Sequence, residues 1–198
     1  MVERMRRFWP EGVCALVVLA GCTGGPGNGS AATSSTPSAT SCTAPEPEQL
    51  DEGRIDAAVT VFLFCGDGIA PVDLVPVPRR VPADRDALSA ALTQLFIGTT
   101  PSEAAVGLHS AFSSYTADFF RGVTVADGVA TIELAPGWDV IPNFSTTNLS
   151  AVVMSQIAAT VFARPNITGL EFRIGDERWC GYEAGDCEDV PSPVLVRP

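Results

Sequence analysis

Lysine is missing from this chain of 198 residues, and histidine occurs once, at His109. All 12 basic residues are arginines, set against 23 carboxylates for a formal net charge of -11. So acidic a chain is ill suited to neutralising a phosphate backbone, which argues against sequence-independent nucleic-acid binding. An acidic surface is also repelled by anionic lipid, so membrane attachment calls for a covalent anchor. A lone histidine and the lack of any Cys-x-x-Cys pair argue against a metal site and a dithiol redox centre. No Gly-x-Ser-x-Gly elbow is present to strain a nucleophilic serine. No cofactor is expected. The uniform use of arginine reads as the codon bias of a GC-rich bacterium.

What is present begins with an address. Arg4, Arg6 and Arg7 precede the apolar run Val13 to Ala20, which is much shorter than the ~18 residues of a spanning helix. A charged start, a short apolar stretch and small residues at its end form a secretion signal. The ending, Leu19-Ala20-Gly21-Cys22, resembles the bacterial lipobox. In that class the peptide is cut before the cysteine, whose thiol carries a diacylglycerol and whose new amino group is acylated, typically with palmitate. Residues 1–21 are therefore expected to be a lipoprotein signal peptide and Cys22 the lipidated residue. One acyl chain binds a membrane marginally at ~0.8 kcal/mol per methylene, whereas two or three hold it. The expected location is the extracytoplasmic face of the cell membrane.

Residues 22–53 are rich in Gly, Ser, Thr, Ala and Pro. Such a stretch buries too little apolar surface to offset its ordering entropy, so a flexible linker is expected. As a coil of about thirty residues it would span roughly 30 Å.

Residues 54–198 carry the patterning of one α+β domain, a largely antiparallel sheet packed by two long helices. Val59 to Phe64 is apolar on both faces, as in a central strand. Leu74 to Val81 is extended but interrupted by Pro76 and Pro78, which belong at an edge because proline donates nothing to a ladder. Leu88, Ala91, Leu92, Leu95 and Phe96 share a helix face that Asp84 or Asp86 can cap and Gly98 closes. Asp127-Gly128, between Val123–Ala126 and Val129–Leu134, signals a type I′ hairpin. It puts Val123, Val125, Ala130, Ile132 and Leu134 on one face and Thr124, Thr131 and Glu133 on the other. A second helix runs from Asn148 to Ala163, and Leu170, Phe172 and Ile174 alternate in a last strand that turns at Gly175-Asp176 toward Trp179.

The order of several motifs in this domain resembles the GerMN family, best known from spore-germination and sporulation proteins and from actinobacterial envelope lipoproteins. They are Leu74-Val75-Pro76-Val77-Pro78-Arg79, Phe96-Ile97-Gly98, Glu103, Gly107-Leu108-His109-Ser110, Ala130-Thr131-Ile132-Glu133-Leu134 and Gln156-Ile157-Ala158-Ala159-Thr160. Thr99-Thr100 departs from the family's Gly-Pro, and the cysteine-bearing C-terminal loop is a second departure. The resemblance implies a non-enzymatic interaction or assembly module with an envelope protein as partner. A different reading is an envelope lipoprotein that binds glycan, peptide or lipid.

Four cysteines remain after the signal region, Cys42, Cys65, Cys180 and Cys187. In an exported protein they imply two disulfides with three possible connectivities. The favoured one joins Cys180 to Cys187 and Cys42 to Cys65. A hydrolase reading would centre on His109 with Ser110, Ser113, Ser114 and Asp118, but a loop histidine among capping serines explains the same residues. Asp127, Glu133 and Asp139 are scattered rather than paired, so the catalytic set is expected to be empty.

Overall fold

Ten residues, Asp56–Cys65, form strand β1, and their alternation sets the plan of the molecule. Val59, Val61 and Leu63 are buried, whereas Ala58, Thr60 and Phe62 lie on the more open face. Strand β2, Asp73–Pro82, pairs antiparallel along the whole of β1. Thr60 stands opposite Pro78 and Phe62 opposite Pro76. Proline has no N–H to exchange, so these are the non-hydrogen-bonded pairs and the odd-numbered residues of β1 carry the ladder. The bond from Ala83 N to Ile55 O, 3.1 Å, continues that parity. On its other side β1 meets only the two-residue strand β3, Leu108–His109, through Phe64 and Cys65. The sheet order β2-β1-β3 makes β1 central and β2 an edge, as the patterning requires.

This computed structural model describes residues 42–48, 55–66, 73–138, 147–180, 187 and 194–197. Cys22, residues 1–21 expected as a signal peptide, Asp139 and most of residues 22–53 expected as a linker lie outside the described residues. Residues 42–48 are described, and they pack on the domain. Cys42 and Ala44 touch the core, and Ser102 Oγ donates to Glu48 Oε1 at 3.0 Å. A short Pro-rich segment stays ordered here because side-chain contacts and a cysteine pair supply what its own composition lacks.

Helix α1, Ala87–Ile97, starts where Asp86 accepts from Ser89 N at 2.8 Å. It stops at Gly98, whose φ of 90° suits glycine and where a Cβ would fall 2.3 Å from Phe112 O. Helix α2, Pro101–Ala105, opens with a capping box in which Thr100 and Glu103 satisfy each other's backbone N–H. Thr100, the departure from Gly-Pro noted above, is therefore the N-cap.

A second sheet follows. Strands β4, Phe120–Ala126, and β5, Val129–Leu134, turn at Asp127 and Gly128 with φ of 49° and 78°, both positive as a type I′ turn demands. Helix α3, Thr147–Phe162, carries the chain to β6, Gly169–Ile174, which lies parallel to β5. Strands β7, Glu177–Trp179, and β8, Leu195–Val196, pair antiparallel with β6. The α+β class stands, and β5/β6 is the one parallel pairing among the described strands. A strand that feeds a helix and returns as the next neighbour must run parallel, so the β5-α3-β6 crossover explains the exception. The strands fall into two sheets, and of the two main helices α3 is the long one, 16 residues against 11 for α1.

Both sheets and both helices feed one core. Leu92, Leu95 and Phe96 of α1 and Val153, Ile157 and Val161 of α3 meet Val61 and Leu63 from one sheet and Ile132, Leu134 and Phe172 from the other. Val125, on the core-facing row of β4, is 46% exposed because it overhangs at the hairpin tip.

Candidate interaction surface

Arg79 points into the protein. It shares parity with buried Val77 and Val81 on β2, and its side chain is 6% exposed. Its Nε donates to Glu103 Oε1 at 2.8 Å and its Nη2 to Glu103 Oε2 at 2.6 Å, a bidentate pair. Nη2 also donates to Gly98 O at 2.6 Å, and Nη1 to Gln94 O. Glu103 Oε2 in turn accepts from Thr100 N at 2.7 Å. One ion pair therefore ties β2 to the C-terminus of α1 and the N-terminus of α2. Arg79, Gly98 and Glu103 of the motif are consumed by this joint.

Gln156 performs a second such task. It is fully buried on α3, where Nε2 donates to Phe62 O at 2.9 Å and Oε1 accepts from Ala111 N at 2.8 Å. One turn later Thr160 Oγ1 accepts from Phe62 N at 3.3 Å. Phe62 is an even-numbered residue whose backbone faces away from β2, so α3 supplies the partners that a neighbouring strand would otherwise give. Polar Gln156 and Thr160 at i, i+4 within an apolar helix face are the sequence signal of this contact.

His109 is exposed beside the Phe64 ring, with centroids 5.9 Å apart. Ser110 Oγ accepts from Phe112 N at 3.1 Å and lies 3.3 Å from Gln156 Nε2. Ser113 Oγ accepts from Tyr115 N, and exposed Asp118 sits in the 3-10 turn Ala117–Phe119. These side chains point to separate local tasks. Among the described residues no bond links His109 to a serine or to Asp118.

Cys42 and Cys65 stand at disulfide distance, with Cα atoms 5.7 Å apart, and so do Cys180 and Cys187 at 5.6 Å. The first pair joins residues 42–48 to the end of β1. With the Ser102 contact to Glu48 it sets one wall of a cleft of about 220 Å³ lined by Pro45, Pro47, Pro78, Arg80 and Gln94. That volume is below the roughly 300–1,000 Å³ usual for small-molecule sites.

The broad open surface is the outer face of the second sheet. Register puts Thr124 beside Thr131, Thr131 beside Glu171, Glu133 beside Arg173 and Arg173 beside Arg178. Thr124, Glu133 and Arg173 are exposed and Thr131, Glu171 and Arg178 half-buried. Arg178 Nε lies 3.8 Å from Glu171 Oε1. Helices cover only the opposite face among the described residues. By contrast α3 exposes little: Asn148 and Ala151 are its open positions with described side chains.

Comparison with solved structures bears on this architecture. The tandem GerMN domains of the sporulation protein GerM from Bacillus subtilis superpose with a TM-score of 0.50 over 67% of this chain, at 18% identity. The fold is GerMN-like. The first GerMN domain of the same protein superposes with a TM-score of 0.48 at 14% identity, covering 65% of this chain and 90% of that one. This chain spans 43% of the tandem structure. No protein-family model and no curated protein match the sequence. Among the described residues no helix is long and apolar enough to cross a membrane.

Proposed function

We propose that this protein is a lipid-anchored, extracytoplasmic docking module of a bacterial cell envelope, held by Cys22 and working without catalysis. The observation that carries the reading is the division of labour just described. The motif residues Arg79, Gly98, Glu103 and Gln156 are engaged in internal contacts, whereas the outer face of β4-β5-β6 presents threonines and mixed charge with no element over it among the described residues. General acid/base chemistry needs titratable groups gathered in one site, and the surface instead offers them spread along strands. An open sheet face of mixed charge suits a protein partner, because charge pattern sets register and partner choice. The GerMN-like fold, also seen in a sporulation protein, supports an envelope role. The lipobox-like Leu19-Ala20-Gly21-Cys22 supports the anchor.

Complementation of a deletion strain tests both parts. Thr131→Arg and Glu133→Arg should lose function while keeping the wild-type melt, and His109→Ala should keep function. Loss of function in well-folded His109→Ala with both sheet variants active would overturn the docking reading in favour of an enzyme. Cys22→Ser should move the protein out of the detergent phase. Unchanged partitioning would refute the lipid anchor.

A further inference from the structure

The two edges of the first sheet are built differently. On β2 the outward-facing positions 76 and 78 are prolines, which cannot donate to an added strand. On the free side of β1, Phe62 is satisfied by Gln156 and Thr160, but Ala58 and Thr60 also turn their N–H and C=O groups away from β2 and have no strand beside them among the described residues. A groove of about 120 Å³ runs along that edge, between it and the last turn of α3, lined by Ala58, Thr60, Ala91, Thr160, Ala163 and Arg164. The floor is small side chains, which allow close backbone approach. Ala58 and Ala163 are exposed and Thr60 half-exposed, so the groove opens to solvent.

The groove is too small for a cofactor-sized ligand. Its chemistry is that of a strand edge with a cation at one end. Arg164 makes no salt bridge among the described residues. Arg197 sits next to it, donating to Phe162 O at 2.6 Å and to Arg164 O, and so offsets the negative end of the α3 dipole. Arg80, across the strand from Ala58, is already paired with Asp56 at 3.0 Å. In a chain of net charge -11 this end of α3 is a local positive site.

We propose that the free edge of β1 at Ala58 and Thr60 captures an extended, acidic segment of a partner polypeptide, which adds as a strand and sets a carboxylate against Arg164. Backbone pairing supplies affinity in such strand addition, and side-chain contacts at the ends supply selectivity. This surface is separate from the outer face of the second sheet, so either can fail without the other.

The test is titration of the full chain, labelled with ¹⁵N, with a decapeptide alternating valine and aspartate. A control peptide carries lysine in place of aspartate. The acidic peptide should shift the amides of Ala58 and Thr60, and Arg164→Glu should weaken it by about tenfold or more and turn the preference toward the lysine peptide. Thr60→Pro removes a groove-facing N–H without touching the β1–β2 ladder and should abolish binding. Ala163→Trp, at an exposed position, should do the same by filling the groove, and it carries the test if Thr60→Pro fails to fold. Equal binding of the two peptides, shifts confined to other residues, or no shifts at all would overturn the proposal.

Discussion

Glu103→Gln probes the buried ion pair, because it keeps the shape of the side chain while removing its charge and turning one of its two acceptor oxygens into a donor. In the wild type the two side chains are 6% and 4% exposed, and Arg79 places four donor contacts on Glu103, Gln94 and Gly98. The substitution leaves the guanidinium buried with carbonyls and a neutral amide as partners. Removing one member of a buried pair costs about 3–5 kcal/mol, since the remaining charge has lost both water and its counter-ion. Against a total stability of about 5–15 kcal/mol that is a large fraction. For a domain of this size it lowers the melting temperature by roughly 6–20 °C, at about 2–4 °C per kcal/mol. Urea denaturation followed by circular dichroism reads the difference directly. The double variant Arg79→Met with Glu103→Met carries no buried charge, and its cost should fall well below the sum of the two single costs. A Glu103→Gln variant within about 1 kcal/mol of wild type, the range of exposed pairs, would refute the account of this joint.

Gly98→Ala should destabilise by more than about 1–3 kcal/mol, the usual cost of a strained backbone, because a Cβ there also meets Phe112 O at 2.3 Å; a melt close to wild type would count against the close approach. Gln156→Leu leaves Phe62 O and Ala111 N without their side-chain partner, at about 1–3 kcal/mol for each group, and hydrogen exchange at Ala111 should accelerate. In natively exported protein, mass spectrometry without reduction should find no free thiol at Cys42, Cys65, Cys180 or Cys187. Two or more alkylatable thiols would refute the pairing.

Most of the element plan was legible because local rules and tertiary packing agree. Asp127-Gly128 forms its hairpin since both residues adopt the positive φ that the turn needs. Gly98 ends α1 and Asp86 begins it. Pro76 and Pro78 mark the edge strand, as their missing donors require. What could not be read was contact between distant segments. Nothing local to Arg79 says that its partner is 24 residues away, and the parity with Val77 and Val81 says only that the side chain points inward. Residues 42–48 read as linker because composition reports what a segment can bury by itself, not what a cysteine at position 65 and Ser102 hold it against. The split into two sheets was hidden for a related reason, since strand patterns show which residues alternate but not which strand sits beside which.

The motif residues deserve different weight once their contacts are known. Arg79, Gly98, Thr100 and Glu103 form one joint, and Gln156 with Thr160 forms another at Phe62. Both joints close gaps that two short helices and an incomplete sheet would leave open. Buried polar groups of this kind are costly if any member is lost, so the sequence around them is constrained by folding whatever the protein binds. On the docking reading proposed above, specificity resides where the fold makes no such demand, on side chains that can change without breaking a joint. Thr131, Glu133 and Arg173 on the open sheet face and Arg164 at the free edge of β1 meet that condition. Substitutions there should alter partner choice at nearly constant stability, whereas substitutions in the two joints should alter stability first and binding only through it.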